Sequence, residues 1–127
     1  MTPSIESITT SVLGLALDAA AMRQQAIAAN IANASVPGYA PSAVSFDDQL
    51  EDARRALQGI GRLDAASLQG VQPALRTLAS PNGEPLAVQL DGEAAQLAQN
   101  SVHFQALLKG LAKHYALLST AVGDGRK

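Results

Sequence analysis

In the last third of the chain, Leu90, Ala94, Leu97, Ser101, Phe104, Leu108, Leu111, Tyr115, Leu118 and Val122 fall alternately four and three residues apart without a break. Only Ser101 is polar. This is the spacing of a heptad a/d seam, and it demands a long helix that buries one stripe against another helix. Asp91 and Glu93 sit in the first turn and Lys109 and Lys113 towards the end, which complements the helix dipole. Gly123 and Gly125 are expected to stop the helix, which places it over residues 90–122. Gly110 lies inside the pattern at a cost of about 1 kcal/mol relative to Ala. A close approach of another backbone is expected there.

A partner for that seam exists at the other end of the chain. Ile5, Ile8, Val12, Leu15, Ala19, Met22, Ala26 and Ala29 step by three and four, and Leu13, Leu17, Ala20, Ile27 and Ile31 form a second line beside them. The apolar face is wider than a two-stranded seam requires. The only charges are Glu6, Asp18 and Arg23, so a helix with several neighbours is expected. Its end is marked by Asn33-Ala34-Ser35-Val36-Pro37-Gly38-Tyr39. Pro37 disfavours helix at Val36, and Pro37-Gly38 suits the centre of a type II turn, with Gly38 at positive φ. Asn30 and Asn33 can bond carbonyls freed at the helix end. The helix is placed over residues 4–34, roughly 45 Å long.

The variable middle, residues 35–89, reads poorly as a core. It is punctuated by Pro37, Pro41, Pro73, Pro81 and Pro85. One short helix is expected from Ser45, as its cap, to about Gln58, with Phe46, Leu50, Ala53 and Leu57 as its stripe and Glu51 paired with Arg55. Residues 71–79 are ambiguous. Ser80-Pro81-Asn82-Gly83 reads as a turn, and residues 86–90 suit an extended segment. The expected fold is all-α: long N- and C-terminal helices packed as a coiled-coil-like hairpin, with a loosely structured middle containing one short helix. Residues 1–127 form a single domain in this reading.

Composition narrows the function. Hydrophobic residues make up 47% of the 127 residues but aromatics only 3%, with no Trp. The apolar content is mostly Ala and Leu, which pack thin helical seams. A net charge of −2 argues against a nucleic-acid partner. The absence of Cys excludes disulfides and thiolate chemistry. No apolar run approaches the ~20 residues of a membrane span, and no secretory signal of the cleavable kind is expected at the N-terminus. His103 and His114 lie about 16 Å apart along one helix, too far to share a metal, and each reads as a solvated or partner-facing side chain. Asp47, Asp48, Glu51 and Asp52, beside Arg54 and Arg55, read as a solvated face. No catalytic residue, metal, cofactor or small-molecule substrate is expected.

At Ala28-Ala29-Asn30-Ile31-Ala32-Asn33-Ala34-Ser35-Val36-Pro37-Gly38-Tyr39 the sequence resembles the N-terminal signature of bacterial flagellar axial proteins, the rod, hook and hook-associated group. The carrying residues are Asn30, Ile31, Ala32, Asn33, Pro37, Gly38 and Tyr39. Ser35-Val36 stands where the rod proteins usually have Asp-Thr. The stretch from Val88 through Glu93, Leu97, Asn100 and Phe104 to Leu107 is similar to the C-terminal pattern of the proximal rod class, with Gln89 and Ala95 as departures. Phe46-Asp47-Asp48-Gln49-Leu50 and the short length also fit that class. The resemblance implies a subunit exported by the flagellar type III apparatus to the periplasmic rod of the basal body. It implies assembly with other rod subunits and contact with the adaptor FliE, the MS ring and the export gate. The assembly seam is then expected along Ile8, Val12, Leu15, Met22, Leu97, Phe104, Leu108, Leu111, Tyr115 and Leu118. The alternative from another class is a cytoplasmic helical adaptor or export chaperone for secreted subunits.

Overall fold

The computed structural model describes residues 5–60 and 68–125. Helix α1 (Ile5–Ala32) is followed by strand β1 (Ser42–Ser45), helix α2 (Asp47–Ile60), strand β2 (Ala74–Thr77) and helix α3 (Leu90–Asp124). The two long helices form an antiparallel hairpin: Asn30, near the end of α1, meets Glu93 at the start of α3, and Ala20 and Gln24 meet Asn100.

The two apolar lines of α1 have separate employments. Along the first line, Ile8, Val12, Leu15 and Met22 pack with buried Ala19 against Val44, Phe46, Ala53, Leu68 and Val71. On the second line, Ala20, with Gln24 beside it, touches α3, and Leu13, Leu17 and Ile31 are half-buried. A helix with so few charges thus stays covered on two sides. Ser7, Ser11, Asp18, Ala21, Gln25 and Ala28 make up its exposed side.

The middle segment supplies half of the core, contrary to its reading as a poor core. Val44, Phe46, Ala53, Leu68 and Val71 are all buried. Phe46 and Ala53 belong to the expected helical stripe, while Val44, Leu68 and Val71 are single apolar residues among polar ones and give no periodic signal; all five pack on the Ala19 face of α1. The middle also holds a two-stranded antiparallel ribbon in the register Ser42↔Thr77 to Ser45↔Ala74, continued by a bond from the Leu78 amide to the Pro41 carbonyl at 2.8 Å. The ambiguous residues 71–79 therefore contain a strand. The expected turn is present: the Gly83 amide donates to the Ser80 carbonyl, with φ +84 at Gly83. Beyond an isolated Ala79↔Pro85 bridge, residues 86–89 form no strand.

Three boundaries differ from expectation. α1 ends at Ala32, because the chain already turns at residues 33–35. Ser45 is the last residue of β1, with its hydroxyl on the Ala74 carbonyl, so Phe46 takes the entry position and accepts the Leu50 amide. Of the stripe on this helix, Phe46 and Ala53 are buried and Leu50 is half-buried; the Leu57 side chain lies outside the described residues. α3 runs through Gly123 to Asp124, and Gly125 keeps a right-handed φ of −71 while bonding the Ala121 carbonyl. A glycine weakens a helix without ending it when the hydrogen-bond ladder continues. A Cβ on Gly110 would meet nothing within 4 Å, so that residue marks no close contact inside this chain.

Candidate functional site

The signature at the end of α1 folds into a hydrogen-bonded clasp around Asn30, whose residue is 1% exposed. Its amide Nδ2 donates to the Ser42 carbonyl at 2.9 Å and to Glu93 Oε2 at 3.2 Å. Its Oδ1 accepts the Ser42 amide and the Tyr39 hydroxyl, both at 3.0 Å. Both hydrogens and both lone-pair directions of the amide are thus used. Asn30 pairs with Ser42 as a neighbouring strand would, closing the edge of β1 that β2 leaves open. The expectation that Asn30 bonds a freed helix carbonyl is corrected: its carbonyl partner is in β1. The Asn33 side-chain amide donates to the Ala29 carbonyl at 2.8 Å, but that carbonyl also accepts the Asn33 backbone amide at 3.0 Å and is not a freed one.

The turn that brings Tyr39 back is built as the sequence suggests. The Tyr39 amide donates to the Val36 carbonyl at 3.2 Å, and Gly38 has φ +76. That is the type II geometry in which glycine carries no Cβ penalty. Pro37 stands exposed at the corner. Ile31 is half-buried, and Ala32 is the exposed last residue of α1.

A second polar layer crosses the hairpin one heptad along α3. The Asn100 amide donates to the Ala20 carbonyl and to Gln24 Oε1, each at 2.8 Å. Gln24 Nε2 passes a bond to the Ser101 hydroxyl at 3.3 Å, and that hydroxyl donates to the Leu97 carbonyl at 2.9 Å. From sequence, Glu93 falls in the first turn of the helix and both Glu93 and Asn100 in the C-terminal resemblance, but neither is assigned a partner across the hairpin. Their signal was available: each is a polar residue beside the apolar line, in the stretch that carries the C-terminal resemblance.

The residues of the α3 line divide into two groups. Leu97, Phe104, Leu111 and Leu118 are half-buried, together with Leu107 and His114. Leu108 is 45% exposed, Tyr115 53% and Val122 60%. The second row of the contact is Glu93, Asn100, Leu107 and His114, so the other half of the sequence line, Ala94, Leu108, Tyr115 and Val122, lies on the flank of the contact. His114 differs from its reading as a solvated or partner-facing residue, because its Nε2 is screened from solvent and has no hydrogen-bond partner among the described residues. His103 is exposed.

Among the described residues no three His, Cys, Asp or Glu side chains group as a metal site would require. The acidic start of α2 is tied to α1 by an Arg23–Asp47 ion pair at 2.9 Å, while Arg55 lies 3.5 Å from Asp52 and 3.9 Å from Glu51. An open cleft of about 410 Å³ runs beside the polar layer, lined by Ala21, Gln25, Phe104 and Gln105 among others. No described helix is long and apolar enough to cross a membrane.

Residues 12–39 match the family model described as "Flagella basal body rod protein". Over 130 residues the chain is 30% identical to the flagellar basal body rod protein FlgB of Bacillus subtilis (strain 168), covering 97% of this chain and 99% of the relative. It is 30% identical over 109 residues to FlgB of Escherichia coli (strain K12), covering 76% and 79% respectively. For FlgB of Aeromonas hydrophila the identity is 28% over 118 residues, covering 86% and 89%.

Proposed function

Since this chain belongs to the FlgB family of flagellar basal body rod proteins, we propose that it is a subunit of the proximal rod that builds by helix-to-helix contact. Its place is the flagellar basal body, and its role there is structural. The subunits surround the export channel and transmit motor torque. The chain reaches the periplasm through the flagellar type III apparatus and meets other rod subunits, FliE, the MS ring and the export gate.

The observation that carries this reading is the apolar surface left over once the hairpin has closed. Leu108, Tyr115 and Val122, at intervals of seven, are 45–60% exposed along one flank of α3. Large apolar side chains gathered on a small chain mark an interaction surface. The assembly seam is accordingly divided. Ile8, Val12, Leu15 and Met22 hold the subunit's own core. Leu97, Phe104, Leu111 and Leu118 line the half-buried side of α3, and Leu108 and Tyr115 meet neighbouring copies. A surface that contacts a different patch on the next copy generates a helical array.

The test is a variant carrying Leu108→Asp and Tyr115→Asp in a host lacking its own rod subunit. Helical signal and urea midpoint stay close to the parent, because neither side chain is buried in the hairpin, while swimming and rod assembly are lost. Normal swimming at parental protein level would refute the role given to this face.

A further inference from the structure

We propose that Asn100, held between the Ala20 carbonyl and Gln24, is the positioning residue that sets the register of α3 along α1. The inference concerns the hairpin itself and stands apart from the function assigned above.

The apolar pattern cannot set this register alone. On α3, Leu97, Phe104, Leu111 and Leu118 recur at intervals of seven and are all half-buried. The facing line of α1 has the same period through Leu13, Ala20 and Ile27. Sliding α3 by one heptad, about 10 Å along the axis, exchanges one large apolar side chain for another. The connection does not fix the register either, because residues 86–89 join no strand.

The polar layer breaks this degeneracy. Asn100 spends its two amide hydrogens on α1, one on the Ala20 backbone and one on Gln24. Sliding α3 in one direction puts Leu107 at this site, against fully buried Ala20. Gln24 Oε1 loses its donor, the Ala20 carbonyl keeps only its bond within α1, and Asn100 moves to the position of Glu93. Sliding the other way brings the Glu93 carboxylate against the Ala20 carbonyl, acceptor facing acceptor. Only the observed register gives Asn100 both partners and Glu93 the Asn30 amide. A lone polar residue in an apolar helical seam acts in this way: it forfeits some stability and excludes the other alignments.

The experiment uses the full chain, which has no Cys, spin-labelled through Gln25→Cys and Ala116→Cys, both exposed positions. The doubly labelled chain is diluted with unlabelled protein, and the distance distribution is read by pulsed dipolar spectroscopy. The parent gives one population. Asn100→Leu, which fills the site with apolar bulk, adds a second population displaced by about 10 Å while retaining helical signal. Gln24→Leu, which removes an acceptor from the opposite helix, does the same. Ser101→Ala, which leaves both Asn100 bonds in place, keeps the single population. One unchanged distance in both the Asn100 and Gln24 variants would overturn the proposal. So would loss of helical signal in both without a second distance, since the layer would then be a stability contact only.

Discussion

Asn30 shows how one side chain joins three segments distant in sequence. From the last turn of α1 it substitutes for a strand beside Ser42, anchors Tyr39 and receives the first turn of α3 through Glu93. Removing a saturated buried amide leaves several partners without bonds. Asn30→Ala is therefore expected to cost about 2–4 kcal/mol in urea unfolding, whereas Tyr39→Phe, which loses one bond, costs about 1 kcal/mol. The opposite sign is expected at His114, where Nε2 is shielded and unpartnered. His114→Leu should stabilise the chain by about 1 kcal/mol by removing an unsatisfied group, read as a higher urea midpoint. The motif marked Asn30, Gly38 and Tyr39 from sequence, and turn chemistry predicted the conformation at Gly38. Glu93 could not be matched to Asn30 in the same way. A single hydrogen bond between residues 63 positions apart follows from how the helices pair and leaves no local pattern.

At the scale of elements, the two long helices were legible because each repeats its apolar spacing over many turns. Even the doubling of lines on α1 had a structural meaning: one line faces the middle segment and the other faces α3. The middle was illegible for the complementary reason. Val44, Leu68 and Val71 are buried, but each stands alone in a stretch broken by proline and glycine, and β2 is exposed along its whole length. A strand held chiefly by its ladder to β1 shows no alternation. The division of the α3 line was also beyond sequence, because the second row of the contact holds Glu93, Asn100 and His114 beside Leu107, and a search for apolar spacing passes over such a row. It gives a sharp contrast between neighbours three residues apart. Leu111→Asp places a carboxylate on the half-buried side and should lower stability by about 2–4 kcal/mol, seen as a lower thermal midpoint. Leu108→Asp should change that midpoint little.

As a whole molecule, the chain is a slender hairpin with one small core on a single side of α1. Ala19, Ala20 and Ala26 let helices and strands approach closely, but they bury little area each, which suits a subunit that completes its packing among neighbours. These facts meet in one claim, that the outward flank of α3 is where one subunit meets the next. Site-specific photo-cross-linking in assembled basal bodies tests it most directly. A benzophenone amino acid is placed in turn at Leu108, Tyr115 and Leu111, and the isolated basal bodies are irradiated. The account predicts links between rod subunits from positions 108 and 115, and links within one chain from position 111. Basal bodies that assemble fully, yet yield no link between subunits from 108 or 115, would contradict it.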